Sequence, residues 1–141
     1  MKTQFSKGFK LSCFLLLVLA TFIVSCDKAS PGKVERKITK DSWVIVTFNY
    51  QSIDVAEDYL NYRFGFAEEG GDVVVFINGL NTGQPGEWSV GLNNDPTTLY
   101  LSGFINAPLT ILNDDWTVTT ITSDNMSLES DGNTISMQRL E

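Results

Sequence analysis

Eight short runs of alternating apolar and polar residues, with turn-forming residues between them, most limit what this chain can fold into. They recur at intervals of about 8–12 residues, the spacing of an antiparallel barrel or sandwich. The first, residues 43–50, is β-branched and aromatic, with Val44, Val46, Phe48 and Tyr50 on one face. Both of its faces are apolar at the start, so its inward side is not legible. In residues 61–67, Tyr62, Phe64 and Phe66 share a face, and an acid-and-glycine turn leads into the valine-rich run 73–78, making a hairpin. Runs 86–91, 98–102, 115–121, 126–129 and 134–140 follow, the last two joined by Asp131-Gly132, a strong two-residue hairpin signal. Two stretches break the rhythm. Residues 53–60 suit a helical turn or a long loop; residues 104–112 suit a helical turn with Pro108 in its first turn. No internal repeat is visible. Hiding the edges of so many strands in so small a chain is simplest by closure. The expected fold is therefore all-β: an eight-stranded antiparallel up-and-down barrel, with a β-sandwich as the alternative.

The N-terminus has a different texture. Lys2, Lys7 and Lys10 precede an apolar run from Leu11 to Val24, and Ser25 and Cys26 follow. Positive, then apolar, then small is the build of a secretion signal. The run falls short of the roughly 20 apolar residues that a spanning helix needs. Ile23-Val24-Ser25-Cys26 resembles a bacterial lipobox. That resemblance implies cleavage before Cys26, a diacylglycerol on its sulfur and an acylated amine. It makes residues 1–25 a lipoprotein signal peptide and the membrane the first partner, through the lipid on Cys26. Residues 26–41 then read as a lipidated tether, without periodicity and broken by Pro31-Gly32. Lys28, Lys33, Arg36, Lys37 and Lys40 make it locally basic. A solvated linker holding the domain off the bilayer is the preferred reading, and attraction to anionic headgroups the other.

Charge and residue usage narrow the chemistry. Of 141 residues, removing the first 25 leaves 116, one domain's worth. Three of the ten basic residues and none of the seventeen acidic ones leave with the signal. Seven basic residues then face seventeen acidic ones, a net charge of −10. Such a surface repels phosphate backbones, so no nucleic acid is expected. Cys13 departs with the signal and Cys26 carries lipid, so neither a disulfide nor a free thiol remains. The chain has no histidine. The usual general base, metal ligand and pH switch are missing together, and Ser-His and Cys-His nucleophiles with them.

Tyr62-x-Phe64-x-Phe66, Gly86-x-Trp88-Ser89-Val90, Leu99-x-Leu101 and Asn113-Asp114-Asp115-Trp116-x-Val118, with Ser25-Cys26-Asp27 ahead of them, form a set of segments. Together they resemble the small lipocalin-like lipoproteins of Bacteroidetes. The resemblance implies a compact lipocalin-like (calycin) barrel over residues 42–141 and an envelope location, and no particular activity. The expected place is the outer membrane, facing the periplasm.

Tyr62, Phe64, Phe66, Trp88, Tyr100 and Trp116 are the candidate ligand-binding or core residues. Eight strands enclose space for side chains or for one small ligand. A domain this small needs its core, which favours filling. Trp116 and Val118 are apolar where Asp115, Thr117 and Thr119 are polar, so Trp116 is expected inside, its indole N–H donating to a carbonyl of the preceding turn. Asn113-Asp114-Asp115 and Asn93-Asn94-Asp95 are oxygen-rich but match no calcium loop, and read as turn chemistry. Glu87, or Asp114 with Asp115, could pair carboxylates, but nothing else supports catalysis. No cofactor and no metal are expected. The function expected is a non-enzymatic, membrane-anchored envelope lipoprotein binding a small apolar or amphipathic ligand in or at the barrel. The alternative is a structural or assembly subunit that binds an envelope protein.

Overall fold

The computed structural model describes residues 28–68, 71–78, 80, 83–91 and 95–140. The signal segment, Cys26 and Asn93-Asn94 lie outside the described residues. Among the described residues nine strands form one sheet: β1 (Ser42–Tyr50), β2 (Ile53–Asp54), β3 (Tyr62–Phe66), β4 (Gly71–Ile77), β5 (Gly83–Val90), β6 (Thr98–Ser102), β7 (Asp114–Ile121), β8 (Asn125–Ser130) and β9 (Asn133–Leu140). From β3 to β9 each strand pairs antiparallel with the next, and β1 pairs with both β3 and β9. Eight strands thus close into an up-and-down barrel, with the two-residue β2 as an extra piece on β1. The Asp131-Gly132 signal does what its residues favour. Both have positive φ, 46° and 80°, and the turn joins Ser130 to Asn133.

Antiparallel alternation sorts the connections between two ends. One end holds the start of β1, the β3–β4 turn, the segment before β6 and the β7–β8 turn. Here the structure corrects the expectation of a tether, because Pro31–Ile38 is an α-helix, α1, with Val34 and Ile38 fully buried. Pro31-Gly32, which reads as a breaker, starts the helix instead. Proline at the first helical position loses no hydrogen bond, and Ser30 ahead of it supplies the carbonyl that Val34 N–H meets at 2.9 Å. Val34 and Ile38 stand four apart, on one face, and that face plugs the barrel. The folded unit therefore begins well before Ser42. Ala29 is already buried, and its carbonyl accepts a 2.6 Å bond from the Thr97 hydroxyl.

The far end is closed by two 3₁₀ turns, η1 (Ala56–Tyr59) and η2 (Leu109–Leu112), in the two stretches expected to break the strand rhythm. Tyr59, Leu109 and Leu112 are buried there, and the Tyr59 hydroxyl donates to the Pro108 carbonyl at 2.7 Å, tying one plug to the other.

Both plugs are latched the same way. Trp43 donates its indole N–H to the carbonyl of Ile38, the last residue of α1, at 2.9 Å. Trp116 donates to Leu112, the last residue of η2, also at 2.9 Å. Each indole satisfies an orphan helix-end carbonyl and so anchors a helix to the strand that follows it. A shared register accompanies the latch. β1 has an irregularity between Ile45 and Thr47, and β7 has one between Val118 and Thr120. The extra residue shifts the alternation once, so Trp43, Ile45 and Phe48 all point inward, as do Trp116, Val118 and Ile121. This corrects the grouping of Val44, Val46, Phe48 and Tyr50 on one face. It also reveals a repeated Trp-x-aliphatic-x-x-apolar pattern on opposite strands, which plain alternation conceals.

Candidate functional site

The six aromatic candidates separate into three groups. Phe64, Phe66, Trp88 and Trp116 are buried inside the barrel. Tyr62 is half-buried at the far end, its ring 5.8 Å from that of Tyr59. Tyr100 is a correction: Leu99 and Leu101 on either side point inward, so pleat geometry puts Tyr100 on the outer face. The interior is filled by rings in mutual contact. Phe48 meets Tyr59 at 5.4 Å and Trp116 edge-on at 6.1 Å, while Phe66 meets Trp88 edge-on at 5.6 Å. Phe104 lies against Gly86, where an added Cβ would come within 2.5 Å of its ring. Glycine is what lets that ring close the wall. Burial, and then the neighbouring Asp58, push the Tyr59 hydroxyl well above its ordinary ionisation range. It stays a neutral donor to Pro108.

The indole N–H of Trp88 is buried with no hydrogen-bond partner among the described residues. Both other tryptophans are satisfied.

The oxygen-rich segment at the start of β7 is structural. Asn113 accepts from Phe104 N–H at 3.0 Å and donates to its carbonyl at 2.8 Å, so one side chain imitates a strand partner. Asp114 accepts from the Ser130 hydroxyl at 2.9 Å and from Asp115 N–H at 2.8 Å. Asp115 and Glu87 face solvent. Among the described residues no three Cys, Asp, Glu or His side chains gather as a metal site would require.

The most site-like concavity is on the outside, at the α1 end. Strand pairing between β6 and β7 stops at Thr98 opposite Thr117, and one further bond joins Val118 N–H to the Thr97 carbonyl. β7 runs on past it, and the segment carrying Lys28 and α1 lies alongside. Between them is a groove of about 710 Å³. Ala29 and Pro96, with the inward-turned Val118 and Ile121, border its apolar part; Thr120 and Ser123 bring hydroxyls, while those of Thr119 and Thr122 donate to the Ser127 and Asn125 carbonyls at 3.2 Å. Lys28, Lys33 and Lys37 line the helix side. Lys37 donates to the Ser123 hydroxyl at 3.4 Å, and Lys28 pairs with Asp95 at 2.6 Å where both are well exposed. No aromatic residue marks this place, so the sequence offered only a basic stretch and a threonine-rich strand, far apart along the chain.

Topology and plugging together define a lipocalin-like β-barrel protein. No protein-family model matches the chain, and no curated protein does. Two solved structures resemble it. One is a lipocalin-like protein from Bacteroides uniformis, 11% identical, with 73% of this chain and 99% of that one covered and a TM-score of 0.47. The other is an uncharacterized protein from Bacteroides eggerthii, 12% identical, with 71% and 98% covered and a TM-score of 0.45. Likenesses this distant say nothing of activity.

Proposed function

We propose that this chain is a lipid-anchored, non-enzymatic binding protein of the bacterial envelope, whose ligand is a small amphipathic anion held in the outer groove between α1 and β7. The observation that carries this reading is where open space lies. Rings fill the barrel's interior and both ends are plugged, whereas the groove is of the size that small-molecule sites occupy, about 300–1,000 Å³. Three lysines on a strongly acidic chain, set over apolar side chains and hydroxyls, suit a carboxylate or phosphate head with an apolar tail. The anchor comes from the lipobox-like Ile23-Val24-Ser25-Cys26, and the outer membrane facing the periplasm is the location it favours.

The test uses anilinonaphthalene sulfonate, itself an amphipathic anion, titrated onto the purified protein. Dodecanoate should displace it better than dodecanol. Lys33→Glu with Lys37→Glu should weaken binding, and Thr120→Trp, which fills the groove, should abolish it with the melting temperature preserved. Unchanged binding in both variants would remove the groove from the function. Mass spectrometry that finds Cys26 unmodified in membrane-bound protein would remove the anchor. The far end gives a second reading its one support. Ile53, Leu60, Leu80 and Ile105 are exposed there on three connections, which suits a subunit that meets an envelope protein.

A further inference from the structure

We infer that the α1 end of the barrel rests directly on the membrane, with the basic flank of α1 against anionic lipid headgroups. The inference relies on the lipid-anchor reading for its geometry and on the charge distribution for its chemistry. A sixteen-residue tether would let the barrel stand far off the bilayer, but most of that stretch is folded. Ala29 is buried and bonded to Thr97. Only Asp27 and Lys28 separate it from Cys26. At about 3.3–3.6 Å per residue, such a link reaches roughly 10 Å. The anchored end cannot rise further than that, about one Debye length at ordinary ionic strength.

Charge is arranged to suit. Five of the seven basic residues after Cys26 fall between Lys28 and Lys40. At 3.6 residues per turn, Lys33, Arg36 and Lys37 occupy one arc of about 100° on α1, beside the buried face of Val34 and Ile38. Glu35 points away from that arc. Three carboxylates at this end are engaged: Asp95 with Lys28, and Asp41 and Asp124 both with Arg139. Glu68 and Asp72 stand at the β3–β4 turn, so repulsion there tilts the barrel onto its α1 flank. At the opposite end Asp54, Glu57, Asp58 and Asp131 point away from the bilayer, where an anionic surface repels them least. The groove, which shares Lys33 and Lys37 with this flank, then opens at headgroup depth.

Two arms test this. The chain from Lys28 onward holds every described element and makes its own core, so it serves as a soluble form. It should co-sediment with phosphatidylglycerol vesicles and not with phosphatidylcholine vesicles, and salt should release it. Lys33→Gln, Arg36→Gln and Lys37→Gln should each weaken binding about fivefold, following the usual contribution of a basic residue near an anionic surface. Equal binding to both vesicle types, or variants that bind as well as the parent, would overturn the docking. The second arm uses the lipidated protein in anionic nanodiscs. Since Cys26 carries lipid, single cysteines label cleanly. Gly32→Cys lies on α1 with open space around its Cβ, and Ile105→Cys replaces an 83% exposed residue at the far end. A lipid-borne quencher should quench a fluorophore at position 32 and spare one at 105; equal quenching would overturn the orientation. Unmodified Cys26 would defeat the anchor and this second arm, while the vesicle arm would still decide the docking.

Discussion

Two buried tryptophans in similar settings should respond very differently to the same substitution. Trp116 is 0% exposed and Trp88 4%, so the area each hides hardly differs. Each has one edge-on ring partner, Phe48 at 6.1 Å and Phe66 at 5.6 Å, so aromatic contact nearly cancels as well. What differs is the indole N–H. In Trp116 it donates to Leu112 at 2.9 Å and holds η2; in Trp88 it has no partner among the described residues. Trp→Phe keeps one ring and removes the N–H. At position 116 this leaves the Leu112 carbonyl without its donor, at about 1–3 kcal/mol, plus a small cavity. At position 88 it deletes a buried donor that itself costs about 1–3 kcal/mol, which offsets most of the lost packing. Trp116→Phe should therefore be less stable than Trp88→Phe by about 2 kcal/mol or more. Urea titrations followed by far-UV circular dichroism read this directly. With a slope of about 1–2 kcal/mol per molar for a domain of this size, the midpoints should lie roughly 1–2 M apart. Trp116→Ala should go further, losing about 3–5 kcal/mol out of the roughly 5–15 that such a domain has. Equal midpoints for the two Trp→Phe variants would refute the hydrogen-bond argument. A Trp116→Ala protein that melts like the parent would show that the residue is not core at all.

Two further predictions concern the plugs. Ile38→Ala should cost about 2–5 kcal/mol in thermal melting because α1 belongs to the core, whereas a solvated tether would lose under about 0.5. The Tyr59 hydroxyl binds its proton more tightly in the folded state, so its contribution is fully present below its ordinary pKa of 10.0 and is lost as pH rises beyond that value. Tyr59→Phe should flatten the alkaline fall in stability above about pH 10 and lower stability at neutral pH by roughly 1 kcal/mol, read from denaturant midpoints across pH. An unchanged alkaline slope would refute it.

Strand period and turn chemistry are local properties, which is why the sequence alone determined the eight barrel strands, the Asp131-Gly132 hairpin and the inward Trp116 with its bond to the preceding turn. Inward and outward sets follow from a period of two wherever the ladder is regular, as in β3 and β6. The sequence also held Tyr100 in its place, between two leucines that had to point inward, though its aromatic ring drew it into the candidate set. Three things needed the tertiary structure. The bulges in β1 and β7 depend on how neighbouring strands register, and each shifts the inward set by one residue. α1 has only eight residues, too few for periodicity to declare itself or for a helix to persist alone, and it exists because a barrel end is there to receive Val34 and Ile38. The groove joins Lys33 and Lys37 to Thr119 and Ser123 across some eighty residues of chain, and side chains so far apart in sequence become one surface only when the sheet closes.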